Sequence, residues 1–184
     1  MHNYLFRTIN FTLYHLVFYF VIYSFLGWIG EVMYAYKNHR KFVNRGFLHG
    51  PFCPMYGACM ILIIILFSNF SHMNLFKFFI IATLLTSILE YGTGFILEKM
   101  FNQKWWDYTE DPLNLHGRIC FHFSIMFGFL TTIGVKFVHP FIDKLIDKIY
   151  PPIGLLFFYA LIIYFFIDLS ITLSGLLQEK NVIN

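Results

Sequence analysis

The sequence predicts an all-α integral membrane protein, a polytopic bundle of about five transmembrane helices with one short interfacial helix. Hydrophobic residues make up 58% of the 184 residues and charged residues only 12%. Soluble domains carry about 25% charged residues. Five apolar segments are also long enough to cross a bilayer, which takes about 20 residues. Because the bilayer offers the backbone no hydrogen-bond partners, we expect these segments to cross it as helices.

The predicted spans follow one another in a single domain, residues 1–184. They cover about residues 11–36, 52–70, 76–99, 119–138 and 153–177. Between the last two, apolar residues recur at helical spacing from Phe141 to Ile149, and charged residues fill the other face. That pattern is typical of a helix lying on the membrane surface. Membrane lipid is therefore an expected partner, and no basic run is long enough to indicate nucleic-acid binding.

Five spans place the two termini on opposite sides of the membrane. The side of the N-terminus carries five basic residues, namely Arg7, Lys77, Lys136, Lys144 and Lys148. The side of the C-terminus carries eight, namely Lys37, Arg40, Lys41, Arg45, Lys99, Lys104, Arg118 and Lys180. The positive-inside rule then predicts a cytoplasmic C-terminus and an N-terminus outside. If Arg45 and Arg118 belong to a functional site and are left out of the count, the C-terminal side carries six basic residues and the N-terminal side five.

Four acidic residues lie within the apolar segments, where an ionisable group is by default a functional hypothesis. One of them, Glu98, lies at the membrane interface, where taken singly it is expected to be solvated. Glu31 shares a helical stripe with two glycines and two tyrosines, although it could instead reach for lipid headgroups. Glu90 lies about two turns inside the third span, where facing lipid would cost about 2.5–3.5 kcal/mol. It is therefore expected to face the bundle interior, to pair with a cation or to be protonated. Asp168, midway along the fifth span, is either a coupling carboxylate or an interhelical hydrogen-bonding group.

The stretch from Arg45 to Gly57 separates the first two spans and has an unusual composition. Its predicted loop-shaping residues are Gly46, Gly50, Pro51, Pro54, Tyr56 and Gly57. Irregular backbone at membrane depth is tolerated only where it is buried in protein or lines a cavity. We therefore predict that this stretch forms one wall of a polar site.

A second polar loop, residues 104–122, precedes the fourth span and contains a further loop-shaping residue, Gly117. Arg118 is expected to open the fourth helix, with His122 one turn along the same face. A helix N-terminus with a guanidinium group can bind an anion. Topology places Glu31, Arg45, Glu98, Asp107 and Arg118 at one membrane face, so both loops are expected to form one site. A purely structural ion-pair network is the alternative.

Metal and nucleotide sites are not expected. His49-x3-Cys53 and His116-x3-Cys120-x-His122 have spacings compatible with zinc. However, the sequence contains no paired C-x-x-C and no H-E-x-x-H, so we predict neither a metal nor another cofactor. It also contains no G-x-x-x-x-G-K-[ST] motif, so an ATP-driven process would need a separate ATPase.

Several segments carry a family resemblance: Ser24-Phe-Leu-Gly-Trp-Ile-Gly-Glu31, residues 42–57, Leu89-Glu-Tyr-Gly-Thr-Gly-Phe-Ile-Leu-Glu98, Trp105-Trp-Asp-Tyr108 and Asn114-Leu-His-Gly-Arg-Ile-Cys120. Through them the chain resembles the bacterial putative ABC-transporter type IV, or CmpB-like, membrane family. The resemblance implies a small inner-membrane protein of several helices. It also implies that the family pattern includes Glu31, Asn44, Arg45, Glu90, Glu98, Asp107 and Arg118.

Three functions are compatible with these features. The favoured one is a permease-like transporter component acting as an oligomer or with a partner ATPase, with Glu90 and Asp168 lining the path. The second is an intramembrane enzyme or lipid-headgroup binder, in which Arg45 and Arg118 hold an anion. The third is a structural or regulatory membrane protein. The predicted substrate-binding or ion-pathway residues are Glu31, Asn44, Arg45, Glu90, Glu98, Asp107, Asn114, Arg118, His122 and Asp168.

Overall fold

A computed structural model describes residues 2–68 and 73–183, apart from the side chains of residues 2–12, 68 and 181–183. Its helices are α1 (His2–His39), α2 (Pro54–Ser68), α3 (Leu75–Phe101), α4 (Phe121–Ile133), α5 (His139–Asp147) and α6 (Pro151–Ile183). A π-helical turn, Gly134–Val138, joins α4 to α5. The two strands, β1 (Asn114–Leu115) and β2 (Ile119–Cys120), form a small antiparallel hairpin. The all-α class is confirmed.

Four helical segments of the described ranges are long and apolar enough to cross a membrane: Leu13–His39, Leu75–Phe101, Phe121–Asp147 and Pro151–Lys180. Helix α2 is apolar but shorter. The end of the predicted second span, residues 69–70, lies outside the described residues, as does the side chain of Arg7. The other predicted spans differ from the helices mainly at their ends, which local chemistry sets.

Local sequence explains several of those ends. The side-chain oxygen of Asn74 accepts the amide of Phe76 at 2.9 Å, which caps the start of α3. Asn102 ends the same helix in the left-handed conformation, and its amide donates to the carbonyl of Glu98. Prolines begin both α2 and α6, where the missing amide hydrogen costs nothing.

The chain divides into two compact units. Unit 1 comprises residues 1–61 and 139–172, and unit 2 comprises residues 62–138 and 173–184. In unit 1, α5 packs on α1 and buries Ile142 and Ile146, while Phe141 and Leu145 are exposed. This one-sided burial agrees with the apolar spacing seen in the sequence.

Unit 1 brings α1 and the start of α2 close together at small residues. A Cβ atom added to Gly57 would lie 2.5 Å from the carbonyl oxygen of Phe20, and one added to Gly27 would overlap the ring of Tyr56. Gly30, in the same predicted stripe, has nothing within 4 Å. Close helix contact therefore occurs at Gly27 and not at Gly30.

In unit 2 the main packing is between α3 and α4. A Cβ atom on Gly128 would overlap Thr83, so these helices also approach at a small residue. The hairpin precedes α4, and Ile119 and Cys120 belong to β2. For that reason α4 begins at Phe121, two residues later than the predicted fourth span.

Candidate functional site

The predicted site residues fall into two groups, one in each unit. Unit 1 holds Glu31, Asn44, Arg45 and Asp168, and unit 2 holds Glu90, Glu98, Asp107, Asn114, Arg118 and His122. The prediction that both loops form one shared site stays a prediction. The geometry of each group is described within its own unit.

Asp168 holds the irregular segment of unit 1, residues 40–53, which joins α1 to α2. Its side chain is only 6% exposed, and its two carboxylate oxygens accept the backbone amides of His49 at 3.0 Å and Gly50 at 2.9 Å. Tyr164 and Thr172, one turn away on either side in α6, donate their hydroxyls at 3.3 and 3.4 Å. Four donors therefore converge on this carboxylate, and two of them hold the backbone at His49 and Gly50 against α6.

The backbone turn that meets Asp168 depends on Gly50 and Pro51. A Cβ atom on Gly50 would lie 2.7 Å from Asp168 Oδ2 and would also overlap the hydroxyl of Tyr164. The amide of Phe52 donates to the carbonyl of Gly50 at 2.8 Å across Pro51, and the fixed φ of proline suits the centre of such a turn. The glycine therefore permits close approach and the proline sets the turn.

Asn44 shapes the earlier part of the same segment. Its Oδ1 atom accepts the indole N–H of Trp28 at 2.8 Å and the amide of Gly46 at 3.1 Å. Its Nδ2 group donates to the carbonyl of His49 at 3.0 Å. One amide side chain thus satisfies three groups, a common device in irregular backbone.

Glu31 lies beside Arg45 and Tyr56. The Tyr56 hydroxyl donates to Glu31 Oε1 at 2.5 Å, and Arg45 Nη1 lies 3.9 Å from Glu31 Oε2. The guanidinium of Arg45 also lies over the ring of Tyr34, 5.7 Å from its centroid. Both charged side chains of the ion pair are 27% exposed, so this part of unit 1 is polar but only partly accessible.

A cavity of about 330 Å3 lies next to Asp168. Its lining residues are His49, Gly50, Tyr164, Ile167, Asp168 and Ile171. The side chain of His49 is 67% exposed, and its Nδ1 atom is hydrogen-bonded to the Thr172 hydroxyl at 2.8 Å. The cavity thus combines a buried carboxylate and an exposed imidazole with apolar isoleucines.

In unit 2, Arg118 pairs with Glu98. Its Nε and Nη2 groups donate to Glu98 Oε2 at 3.0 and 2.7 Å. The guanidinium also lies 5.4 Å from the ring centroid of Tyr91 and 5.3 Å from that of Phe95. Arg118 precedes β2 and α4 begins at Phe121, so the prediction that Arg118 opens the fourth helix is wrong, and its predicted role in binding stays a prediction. A glutamate of α3 neutralises the guanidinium.

Glu90 is buried in unit 2, with an exposure of 4%. Its Oε1 atom accepts the hydroxyl of Tyr108 at 3.0 Å. The ring of Tyr108 stacks on Phe123 with centroids 4.9 Å apart. The predicted inward orientation of Glu90 is therefore observed, and a loop tyrosine is one of its partners.

Asp107 has local partners and does not join the arginines. It accepts Lys104 Nζ at 2.9 Å and the amide and hydroxyl of Thr109. These bonds, that from the Thr109 hydroxyl above all, lower the pKa of Asp107 to about 2. A Cβ atom on Gly117 would lie 2.6 Å from Asp107 Oδ1, and its φ of +68° favours glycine.

Asn114 and His122 lie beside the hairpin. Asn114 Nδ2 donates to the carbonyls of Asp111 at 2.9 Å and Thr109 at 3.2 Å, and its Oδ1 accepts the amide of Gly117 at 3.0 Å. His122 is exposed, and its Nδ1 atom lies 3.9 Å from Cys120 Sγ. Asn114 therefore organises the loop in the way that Asn44 does in unit 1.

A further polar cluster in unit 1 was missed in the sequence. The Tyr19 hydroxyl donates to Asp143, and His15 Nε2 lies 3.1 Å from Asp147 Oδ1. Edge-on to Tyr19 lies the ring of His139, with centroids 4.7 Å apart. The sequence did contain a pattern that could have indicated this cluster. A histidine and a tyrosine four residues apart lie on one face of α1, and two aspartates with the same spacing lie on one face of α5.

The family model described as putative ABC-transporter type IV matches residues 18–173. The chain belongs to this putative ABC-transporter type IV family. The family match covers both polar segments and all ten predicted binding or pathway residues. Comparisons with curated proteins and with solved structures found no match. Together with the four long apolar helices, the family identifies an ABC-transporter-like membrane protein.

Proposed function

We propose that the chain is a permease-like component of a membrane transporter and that it binds its solute in the cavity beside Asp168. The observation that carries this proposal is a cavity of about 330 Å3 lined by a buried carboxylate in a membrane helix. This volume falls within the range of small-molecule sites. Irregular backbone beside such a cavity is a recurring feature of transporter binding sites.

The lining predicts the chemistry of the solute. Asp168 supplies two carboxylate oxygens, and Tyr164 and the exposed imidazole of His49 add further polar groups. Ile167 and Ile171 provide the apolar part. We expect a small amphipathic solute whose cationic or hydrogen-bond-donating end lies towards Asp168, because charge complementarity fixes orientation in a site of this kind.

The alternative of a lipid-headgroup binder is less well supported by the contacts. Arg118 already faces Glu98 at 2.7 Å, and Arg45 faces Glu31 at 3.9 Å. A carboxylate beside each guanidinium reduces its attraction for an anionic headgroup. The role of both arginines is better explained by holding the loops to the helices.

The proposal also covers the localisation, membrane orientation and partners of the protein. We place the protein in a bacterial inner membrane, with the N-terminus outside and the C-terminus in the cytoplasm, and with a separate ATPase or further copies of the chain as partners. Because four long helices would return the chain to its starting side, opposite termini require α2 to cross as well. Reporter fusions to both termini, active only in one compartment, test this orientation.

The transport proposal is tested by filling the cavity. Ile171→Trp adds bulk at a lining position, whereas Ile163→Trp is a matched control two turns earlier on α6, since the two isoleucines are 56% and 58% exposed. Cells lacking their own copy would express each variant, and mass spectrometry would compare small molecules in cells and medium. We expect a solute gradient that depends on the chain, and a transport rate at least about tenfold lower in Ile171→Trp only.

Two results would count against this proposal. If Ile171→Trp transports like the Ile163→Trp control, the cavity is not the solute site. If expression changes the membrane lipids while every soluble metabolite stays constant, lipid binding or chemistry replaces transport. Equal amounts of each variant in the membrane, measured by immunoblotting, are required for either conclusion.

A further inference from the structure

Three potential metal ligands converge at the hairpin of unit 2, and none of them lines the cavity beside Asp168. Asp111, Cys120 and His122 each offer one ligand atom, and these atoms all lie within 4.8 Å of one another. Cys120 Sγ and His122 Nδ1 are 3.9 Å apart. Tetrahedral zinc, with a bond of about 2.3 Å to sulfur and about 2.1 Å to nitrogen, places two such ligands about 3.6 Å apart.

The ligand carriers are held in place by the loop itself. Asn114 pairs with Cys120 across the hairpin, and its side chain donates to the backbone carbonyl of Asp111 at 2.9 Å. His122 lies in the first turn of α4, directly after β2. One asparagine thus connects two of the three ligand-bearing segments, an arrangement that reduces the entropy lost when a metal is bound.

The ligand groups have little other bonding. The carboxylate of Asp111 makes no hydrogen bond or ion pair with the residues that the structure describes, and the thiol of Cys120 is free. Cys120 is also the N-cap of α4 but makes no capping bond with its side chain. Within the described residues, the thiol contacts the ring of His122 and the backbone amides of His122 and Phe123. These contacts are weak because sulfur is a weak hydrogen-bond acceptor. These atoms are therefore available to an ion.

We propose that Asp111, Cys120 and His122 form a Zn2+ site with three protein ligands and one open position. Thiolate and imidazole ligands favour zinc over magnesium or calcium. Three protein ligands with a fourth position for water are typical of reactive rather than purely structural zinc sites. Cys120 is 1% exposed while His122 is exposed, so the open position would face the side of the histidine.

Binding also has a defined proton balance. The S–H bond of Cys120 breaks, a zinc–sulfur bond forms, and the proton passes to the buffer. Zinc stays in the same oxidation state, so no oxidant or reductant is needed. Because the metal competes with this proton, its affinity rises with pH. The spacing His116-x3-Cys120 in the sequence is not used, since the ring of His116 is hydrogen-bonded to the Tyr91 hydroxyl at 2.9 Å.

The test is a cobalt and zinc titration of the full chain in detergent, purified without a polyhistidine tag. Cobalt(II) should bind at one equivalent per chain with a thiolate-to-cobalt charge-transfer absorption, and zinc should displace it. Cys120→Ser should abolish that absorption. Asp111→Asn and His122→Asn should each weaken zinc binding at least about tenfold, because each removes a ligand.

Matched controls use residues of the same types. Cys59→Ser removes another buried free cysteine, and His116→Asn removes the nearest histidine while keeping a residue suited to its φ of +56°. Both should bind like the original chain. If Cys120→Ser does not elute as a single species, the other two ligand variants decide. Unchanged zinc affinity in those two, or cobalt binding without the charge-transfer absorption, would overturn the proposal and leave an adventitious ion only.

Discussion

The two polar segments are held by different kinds of interaction. In unit 1, Asp168 binds the amides of His49 and Gly50, which lie 119 and 118 positions away along the chain. In unit 2, the loop around Asn114 is held mostly by partners two to five positions away. A long-range contact closes a large loop and therefore costs more conformational entropy than a local contact, which closes a short one.

This difference separates the two segments in folding and in mutational response. The segment of unit 1 should reach its final form only after α6 has been made and inserted. The loop of unit 2 is able to order as soon as its own residues and the preceding helix α3, which pairs with Tyr108 and Arg118, are present. A change in unit 1 should therefore have a large effect spread over distant residues, and a change in unit 2 a smaller and more local one.

The largest expected effect follows from Asp168→Ala. It removes the acceptor for two backbone amides, and each buried donor left without a partner costs about 1–3 kcal/mol. We expect the free energy of unfolding to fall by about 2–6 kcal/mol, measured by denaturation in detergent. Ser170→Ala is the control, because that exposed serine donates to the Phe166 carbonyl within its own helix. Similar unfolding curves for both variants would contradict the assigned role of Asp168.

A smaller and local effect is expected from Gly117→Ala. The φ of +68° and the contacts with Asp107 and Thr109 should cost about 1–2 kcal/mol. Hydrogen exchange should speed up at the Gly117 and Thr109 amides, while the His49 and Gly50 amides keep their rates. Gly30→Ala is the opposite control, since nothing lies within 4 Å and alanine favours a helix by about 0.5–1 kcal/mol. If Gly117→Ala and Gly30→Ala destabilised the protein equally, the special requirement for glycine at position 117 would be contradicted.

The smallest effect is the pH response of the Asp107 turn. The folded pKa is lowered to about 2, below the ordinary carboxyl value of about 3.9. The contribution of Asp107 is therefore fully present above that ordinary value and is lost as the pH falls through about 2. The exchange rate of the Thr109 amide, normalised to a model peptide, should show this transition. A midpoint near 4 would mean that the turn does not hold the carboxylate.

Hydropathy was enough to predict the class of fold and to indicate burial for the two acids that lie deepest in the apolar segments. Glu90 and Asp168 are 4% and 6% exposed, as expected for ionisable groups in apolar segments. The partners of Asp168 were not predictable in this way, because backbone amides occur at nearly every position and leave no side-chain signal. The tertiary structure determines which backbone amides lie next to the Asp168 carboxylate.

Ion pairing was predicted only in part. The sequence placed these acids and arginines at one membrane face without assigning pairs. In the structure Arg45 pairs with Glu31 within unit 1, and Arg118 pairs with Glu98 within unit 2. Charge type alone does not distinguish among several acids near one membrane face. The hairpin was missed for a related reason, since its two-residue strands are too short to show periodicity.

The described part of α2 has a consequence for the backbone on its N-terminal side. Its 15 residues, Pro54–Ser68, rise about 22 Å, whereas a typical hydrocarbon core is about 30 Å thick. If the chain crosses the membrane here, these residues alone do not cover the whole thickness of the core. Any peptide group before Pro54 that lies at membrane depth then needs a hydrogen-bond partner within the protein, and the carboxylate of Asp168 supplies one for His49 and one for Gly50.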